Sequence, residues 1–266
     1  NIPFYKDYYD KHSFHPNLLK TLEDWDLVPI VEKQHIREYQ SHFLFPGIDE
    51  KNLINVTTGG STGEPLKTFR DKRFPEEILK WRMLKRWGFM PSDDMLMLWR
   101  IPYQKQRNKQ IFYDKLIWWP TNRYKFDVSA LSDINLQKIV KILKKKKPPI
   151  IWGYVGAVEQ LALYLERIDD CINYQPLVWV TAAPISEIQK RLFERRLSNK
   201  VLNQYACSEV HWVAASIPNS DFLLVEDDYR HVDIVNTNDN IVEDGVEGDL
   251  LITDLVNKSF PLIKYL

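Results

Sequence analysis

Cysteine is scarce in this sequence, with only Cys171 and Cys207 among 266 residues. Two cysteines cannot supply a disulfide framework or a four-cysteine zinc site, so both of these classes are excluded. A reducing compartment fits this usage, and we expect a cytoplasmic protein. No base is paired with Cys207 in its local sequence, so we do not expect a nucleophilic thiol there.

An excess of charge is also missing, because 36 basic residues balance 36 acidic ones. Proteins that bind nucleic acid usually carry a basic surplus, so we expect no nucleic-acid partner. No apolar run reaches the roughly 18 residues of a membrane span, and no signal peptide is visible. Because the sequence begins at Asn1 rather than at methionine, and because of where it ends, we expect either a fragment or a truncated chain. It leaves the oligomeric state open.

Glycine is rare as well, and three of the nine glycines lie between Thr57 and Leu66. This stretch, T-T-G-G-S-T-G-E-P-L, also carries four hydroxyls and follows the apolar run Leu53–Val56. Glycine lets the backbone adopt positive φ and approach a ligand closely. Successive N–H groups, helped by hydroxyls, then form a cradle for an anion, most often phosphate. The sequence therefore predicts a phosphate-binding loop and a nucleotide enzyme.

Three other interpretations of this loop have different requirements. The P-loop of nucleotide triphosphatases fails, because Glu64 stands where its second glycine belongs and no Lys-Ser/Thr pair follows. A nucleophile elbow, with Ser61 as the nucleophile of a serine hydrolase, fits Gly59–Gly63 but must lead straight into a helix. Pro65 pushes the preceding residue out of the helical region, which disfavours the elbow. The remaining alternative is a surface loop that binds no ligand.

The segment Thr58–Leu66 resembles the T-S-G-[ST]-T-G-x-P-L loop of adenylate-forming enzymes, most closely the phenylacetate–CoA ligase and capsular-polysaccharide CapK branch. In that superfamily the loop holds the β- and γ-phosphates of ATP. The resemblance implies that Thr62 takes part in catalysis and that other loop residues bind ATP. Those residues are Thr58, Gly60, Ser61 and Gly63. Gly59 departs from the pattern, because the superfamily usually has serine there.

A later segment, Val178–Ser186, resembles the G-G-A-P-L-S turn of the same superfamily. The backbone of that turn lies against adenine, which implies the same contact for Ala183 and Pro184. Ala182 replaces a glycine, so we expect the turn to adopt positive φ less readily.

The next segment, Lys200–Glu209, resembles the Y-G-x-[ST]-E segment. The likeness implies that Tyr205 packs beside the purine and Ser208 contacts phosphate. It also implies that Glu209 is catalytic and holds Mg²⁺, a hard cation that takes carboxylate and phosphate oxygens. Ala206 again replaces a glycine. Without the resemblance, Tyr205 is expected to be a core aromatic and Glu209 a solvated carboxylate.

The C-terminal run resembles the G-E-L-x-I-T-D-L and P-L-I-R-Y motifs at Gly248–Leu255 and Phe260–Tyr265. In the superfamily this run leads to an aspartate that holds the ribose, and a lid domain then brings a lysine to the α-phosphate. The sequence stops at Leu266, before either feature. We therefore expect this chain alone to be catalytically poor while still binding nucleotide.

Apolar periodicity in the middle of the chain alternates between strands and helices. We expect helices over 75–87, 136–147, 158–167 and 186–196, and strands over 95–99, 149–154, 177–181 and 201–204. The alternation indicates an α/β fold with a layered, parallel-type sheet and flanking helices, of the N-terminal adenylation domain type, with a β-rich C-terminal part. The predicted domains are an N-terminal helical arm (1–50), an α/β nucleotide-binding core (51–220) and a β-rich subdomain (221–266) that ends before the lid domain.

Ligands in such sheets bind at the carboxyl ends of the strands. The glycine-rich loop and the segments 152–154, 182–184 and 205–209 each follow a predicted strand, so we expect them to converge on one edge. Trp152 and Tyr154 are candidates for an acid pocket at that edge.

The resemblance implies ATP-dependent activation of a small carboxylic acid as an acyl-adenylate, followed by transfer to a thiol or an amine. ATP and Mg²⁺ are the implied cofactors, with coenzyme A as one implied acceptor. The CapK likeness implies a role in polysaccharide biosynthesis. The alternatives are a non-catalytic nucleotide-binding or scaffold relative and, less favoured, the serine hydrolase. The acid and the acceptor are not identified.

Overall fold

The computed structural model describes residues 2–57, 65–100, 113, 116–220 and 222–266. The chain forms two compact units, each assembled from separate stretches of sequence. The sheet unit comprises Glu77–Ala206 and Ala214–Leu224. The hairpin unit comprises Asn1–Glu76, Cys207–Val213 and Val225–Leu266. Within the described ranges, no helix is long and apolar enough to cross a membrane.

The described elements follow one another in this chain order. The strands are β1 (Leu53–Thr57), β2 (Lys67–Asp71), β3 (Met95–Trp99), β4 (Arg123–Asp127), β5 (Ile150–Tyr154), β6 (Leu177–Thr181), β7 (Val201–Tyr205), β8 (Ala214–Ser216), β9 (Leu223–Val225), β10 (Arg230–Val235) and β11 (Asp249–Asp254). The helices are α1 (Pro3–Lys11), α2 (Lys33–Tyr39), α3 (Glu77–Arg86), α4 (Asp133–Lys146), α5 (Val155–Arg167) and α6 (Glu187–Arg196). Short 3₁₀ turns cover Pro16–Leu18, Glu23–Leu27, Gln40–Phe43, Glu50–Asn52 and Val128–Ala130.

Within the described residues, the main sheet has seven strands in the order β4-β3-β5-β6-β7-β8-β9. The pairings from β4 through β7 are parallel, and β8 then runs antiparallel to β7. Strands β3, β5 and β6 are almost continuously apolar, as expected for parallel strands that are covered on both faces. The predicted α/β class with a mostly parallel sheet and flanking helices is confirmed.

One face of this sheet shares an apolar core with α4, α5 and α6. Its fully buried members include Leu98, Ile151, Leu161, Val180 and Phe193. The strand members alternate with residues of the opposite face, because successive side chains of a strand point to opposite sides. Burying each such side chain stabilises the fold by about 1.5–3 kcal/mol relative to exposure.

The predicted helices are present, with shifted ends. Helix α4 begins after Ser132, whose side chain accepts a hydrogen bond from the N–H of Asn135, and ends where Lys147 adopts the left-handed conformation. Helix α6 begins after Ser186, which forms a capping box with Gln189. In both helices a serine at the N-cap satisfies free N–H groups of the first turn.

The hairpin unit contains two antiparallel strand pairs, β1 with β2 and β10 with β11. Its core is rich in aromatic rings. The rings of Phe4 and Phe43 stack with centroids 3.9 Å apart, and Phe43 stacks in turn on Phe260 at 5.4 Å. Strand β1 is therefore not part of the parallel sheet. The expectation that the glycine-rich loop follows a strand of that sheet is wrong, because β1 pairs instead with the next strand along the chain.

Candidate nucleotide-binding site

The carboxyl ends of four parallel strands lie along one edge of the main sheet. Strands β3, β5, β6 and β7 end at Trp99, Tyr154, Thr181 and Tyr205, and Tyr154 is the register partner of Thr181. The predicted acid-pocket residues and the predicted adenine-contacting turn therefore fall at the same edge. This is where parallel α/β sheets bind their ligands.

Trp152 and Tyr154 belong to one continuous aromatic surface. The rings of Trp152 and Trp179 stack with centroids 4.5 Å apart, and Trp99 meets Trp152 edge-on at 4.9 Å. Trp99 also meets Tyr154 edge-on at 4.5 Å. Trp179 Nε1 donates to the side chain of Gln204 at 3.0 Å, which fixes the buried end of the stack.

Trp99 and Trp179 were not identified from the sequence. The available signal was the two-residue period of strands, which places positions 97 and 99, 152 and 154, and 179 and 181 on one face of three neighbouring strands. The buried Nε1 of Trp99 has no hydrogen-bond acceptor among the described residues. An unpaired buried donor is costly, so this indole N–H is suited to an oxygen of a bound molecule.

Strand β5 reaches this surface only because Gly153 lies within it. A Cβ on Gly153 would lie 2.7 Å from the Cβ of Leu98, which is its register partner in β3. No real Cβ contact is that short, so the close approach of β5 to β3 requires glycine here. Gly153 thereby sets the spacing between Trp99 and its neighbours Trp152 and Tyr154.

The turn after β6 has a conformation that favours glycine. Ala182 has φ of +75°, and Ala183 and Pro184 that follow it are exposed. Alanine therefore adopts positive φ here, in spite of the expectation that it does so less readily than glycine. The left-handed region costs a non-glycine residue about 1–2 kcal/mol, which the surrounding structure must offset. The exposed turn leaves its backbone accessible to a base.

Tyr205 ends β7 and is 40% exposed. The alternative that it is a core aromatic is therefore wrong. Its strand is tied to β6 by the Thr181 hydroxyl, which donates to the Gln204 carbonyl at 3.4 Å.

Glu209 lies in the hairpin unit and is only 5% exposed. Its Oε1 accepts a hydrogen bond from the Tyr265 hydroxyl at 3.0 Å. The alternative that Glu209 is a solvated carboxylate is therefore wrong. A buried carboxylate requires compensating partners, and Tyr265 supplies one.

The backbone around Glu209 forms a compact turn. The N–H of Cys207 donates to the Val210 carbonyl at 3.2 Å, and the N–H of Val210 donates to Cys207 Sγ at 3.2 Å. Burial, together with the nearby charge of Glu209, raises the pKa of the Cys207 thiol to about 12. The thiolate is the nucleophilic form. The expectation that Cys207 is not a nucleophile is therefore supported.

A buried network of charged side chains anchors the backbone at His211, directly after the turn from Cys207 to Val210. Arg230 is fully buried, and its Nη1 donates to Asp254 Oδ1 at 2.7 Å while its Nη2 donates to Glu76 Oε1 at 2.9 Å. The Nε and Nη2 atoms of Arg230 also donate to the His211 carbonyl at 3.1 and 2.9 Å. Burial raises the pKa of Glu76, and the charge of Arg230 opposes that rise. Nothing in the local sequence indicated this network.

His211 is packed against Arg70 rather than exposed. Arg70 Nη1 lies 2.7 Å from His211 Nδ1. Arginine only donates, so Nδ1 accepts and the imidazole is neutral with its proton on Nε2. Burial, and then the charges of Arg70 and Arg230, lower the pKa of His211 to about 4.

The predicted phosphate-binding residues lie outside the described residues, namely Thr58, Gly60, Ser61, Thr62 and Gly63. The strands on either side of them pair with each other, with Thr57 opposite Lys67. A nucleophile elbow joins a strand to a helix. The strand that follows this loop therefore does not support Ser61 as a hydrolase nucleophile.

No protein-family profile matches the chain. The chain is 24% identical over 278 residues to a phenylacetate-coenzyme A ligase from Escherichia coli, which aligns with all of this chain and 61% of that protein. The chain therefore spans about 61% of the length of such curated relatives. The whole chain also superposes on 59% of 2-hydroxyisobutyryl-CoA ligase in complex with 2-HIB-AMP and CoA, with a TM-score of 0.72 and 19% identity.

The chain is therefore similar, in sequence and in fold, to acid–coenzyme A ligases of the adenylate-forming superfamily. A further member of this fold, ATP-bound MatB from Rhodopseudomonas palustris, superposes 39% of its length on 75% of the chain, with a TM-score of 0.52 and 16% identity. The likeness to phenylacetate–CoA ligases is thus confirmed. The likeness to the capsular-polysaccharide branch stays a prediction.

Adenylate-forming enzymes use Mg²⁺ with ATP, and this chain has one buried carboxylate, that of Glu209, of the type that binds this ion. The described residues contain no group of three or more His, Cys, Asp or Glu that would bind a metal by themselves. Mg²⁺ is usually held by one or two carboxylates plus phosphate oxygens and water. Glu209 supplies one such carboxylate, and within the described residues only its Oε1 has a hydrogen-bond partner.

Proposed function

We propose that this chain carries the ATP-binding part of an acid–coenzyme A ligase. The reaction has two steps. The carboxylate of the acid attacks the α-phosphorus of ATP and releases pyrophosphate, which leaves an acyl-adenylate. The thiol of coenzyme A then attacks the acyl carbon and releases AMP.

The observation that carries this proposal is the placement of the predicted contact residues. Ala183, Pro184 and Tyr205 lie at the carboxyl ends of the adjacent parallel strands β6 and β7, beside the aromatic surface of Trp152 and Tyr154. The similarity of the entire chain to phenylacetate-coenzyme A ligases supports the same reaction class. The similar 2-hydroxyisobutyryl-CoA ligase is found in complex with 2-HIB-AMP and CoA, which supports the same two-step chemistry.

Each of the predicted contact residues has a distinct proposed role. The exposed turn at Ala183 and Pro184 contacts adenine, and Tyr205 stacks on the base side. Ser61, Thr62 and Gly63, with Thr58 and Gly60, hold the phosphates, and Ser208 donates to a phosphate oxygen. Glu209 would hold Mg²⁺, and that ion would neutralise phosphate charge so that a carboxylate could approach. Such catalysis consists mainly of positioning and electrostatic stabilisation.

Calorimetric titration of ATP into the chain, with and without Mg²⁺, tests the proposal. We expect saturable binding that strengthens when Mg²⁺ is present. Glu209→Ala should abolish the effect of Mg²⁺, whereas Glu194→Ala, at an exposed position of α6, should leave it unchanged. Failure to bind ATP in the millimolar range would contradict the proposed function.

A second candidate is a nucleotide-binding relative that has lost turnover and acts as a scaffold, including in polysaccharide biosynthesis as the CapK likeness implies. The observation in its favour is alanine at positions 182 and 206, where the superfamily has glycine. It predicts ATP binding that Glu209→Ala does not alter. ATP binding whose Mg²⁺ dependence disappears in Glu209→Ala would exclude it.

A further inference from the structure

The backbone of Tyr265 is fixed from two sides within the hairpin unit. It pairs antiparallel with Ile252, through hydrogen bonds of 3.0 and 2.8 Å, and parallel with Val31. The N–H of Val31 donates to the Lys264 carbonyl, and the N–H of Leu266 donates to the Val31 carbonyl, both at 2.9 Å. The position of the phenol ring is therefore set by strand pairing on both edges.

The hydroxyl at the end of this ring meets only one of the two carboxylate oxygens of Glu209. Tyr265 is 3% exposed, and its Oη donates to Glu209 Oε1 at 3.0 Å. An ionised carboxylate accepts only, which fixes the direction of the bond.

The turn from Cys207 to Val210 fixes the backbone of Glu209 but not the plane of its carboxylate. The last torsion of a glutamate side chain is broad and roughly two-fold, so packing alone sets it poorly. A hydrogen bond to Oε1 removes that freedom and directs Oε2 away from Tyr265.

We propose that Tyr265 is a positioning residue for Glu209, which it holds so that Oε2 is presented to the magnesium ion of Mg²⁺–ATP. This inference rests on the proposed function. Partners that orient a metal-binding side chain typically change metal affinity by about 10–100-fold when they are removed. The hydroxyl of Tyr265 is a partner of this kind.

The test is Tyr265→Phe in the full 266-residue chain, with ATP affinity measured by calorimetry over a range of Mg²⁺ concentrations. We expect the Mg²⁺ concentration for half-maximal enhancement of ATP binding to rise about tenfold, with ATP affinity in the absence of Mg²⁺ unchanged. Tyr8→Phe is the matched control, because its hydroxyl donates to the Ile30 carbonyl at 2.6 Å in the same unit. It should leave the Mg²⁺ dependence unchanged.

A double variant separates positioning from a structural effect. In Glu209→Gln the metal-binding charge is gone, so adding Tyr265→Phe should change the Mg²⁺ dependence no further. Unchanged Mg²⁺ dependence in Tyr265→Phe alone would overturn the inference and leave the proposed function standing. Equal loss of ATP affinity with and without Mg²⁺ would also overturn it, because that result indicates a structural role. If the wild-type chain binds no ATP, the proposed function fails and this inference fails with it.

Discussion

Arg70 Nη1 donates a hydrogen bond to the imidazole of His211 at 2.7 Å. If His211 were protonated, its positive charge would lie directly beside the positive charge of the Arg70 guanidinium. The pKa of His211 is accordingly lowered to about 4, with burial as the larger cause. The backbone carbonyl of His211 also accepts hydrogen bonds from the Arg230 guanidinium. His211 therefore connects the turn that contains Glu209 to the buried charge network around Arg230.

We expect this histidine to make the stability of the chain depend on pH. Its pKa is about 4 in the folded state and about 6.5 in the unfolded state, so between these values the unfolded chain binds more protons. Stability should fall as pH falls from about 6.5 to about 4, by up to roughly 3 kcal/mol. Urea denaturation at a series of pH values measures this.

The control for this prediction isolates the histidine from other titrating groups. Glu76 acts in the opposite sense, because its pKa is raised on folding. His211→Asn keeps an acceptor for Arg70 and should remove the dependence between pH 6.5 and 4, apart from the carboxylate contribution. The control variant His42→Asn, which replaces an exposed histidine, should leave the pH dependence of stability unchanged. Identical pH profiles for His211→Asn and wild type would contradict the assignment.

Gly153 and Gly156 should respond to alanine with opposite signs. At Gly153 a new Cβ meets Leu98 at 2.7 Å, and overpacking of this kind costs about 1–3 kcal/mol. At Gly156, within α5, a Cβ meets nothing within 4 Å, and alanine in a helix is favoured over glycine by about 0.5–1 kcal/mol. Thermal unfolding of the two single variants makes the comparison. Equal changes in unfolding temperature for the two variants would show that the spacing between β3 and β5 does not depend on glycine at position 153.

Removing Arg230 should be strongly destabilising. Arg230→Ala leaves Asp254 and Glu76 without their guanidinium partner in a buried site, a change that typically costs about 3–5 kcal/mol. Arg195→Ala removes an exposed ion pair with Glu166 and should cost less than about 1 kcal/mol. The free energy of unfolding in urea distinguishes the two. If Arg230→Ala lowered the free energy of unfolding by less than about 1 kcal/mol, water would have to solvate the carboxylates of Asp254 and Glu76 in the variant.

The parts of the fold that the sequence predicted are those with local causes. Strands β3, β5, β6 and β7 follow from short apolar runs, and the start of α6 follows from Ser186 and Gln189 a few residues apart. The pairing of β1 with β2 was missed, because a strand's partner is not encoded in the strand itself. The resemblance supplied Glu209, Tyr205 and the turn at Ala183, which local patterns alone would have assigned to surface or core.

The site features that escaped prediction join residues that are far apart in sequence. Glu76 meets Arg230 across 154 positions, and Glu209 meets Tyr265 across 56. A charged residue far from its partner looks like an ordinary surface residue, because its burial is decided by the tertiary fold. Only Trp152 and Tyr154 of the aromatic surface were predicted, for the same reason. Trp99 and Trp179 lie beside Trp152 only because of the order of the strands in the sheet.

The hairpin unit is assembled from three separate stretches of the chain, and this affects the order of folding during synthesis. Residues 77–206 of the sheet unit emerge as one continuous stretch and have most of their partners within it. Val31 and Phe43 leave the ribosome before the sheet unit but pack against Tyr265 and Phe260, which are synthesised after it. Their apolar surface stays uncovered until those later residues emerge. Chaperone dependence and aggregation of nascent chains should therefore originate in the N-terminal segment, even though the parallel sheet is the larger core.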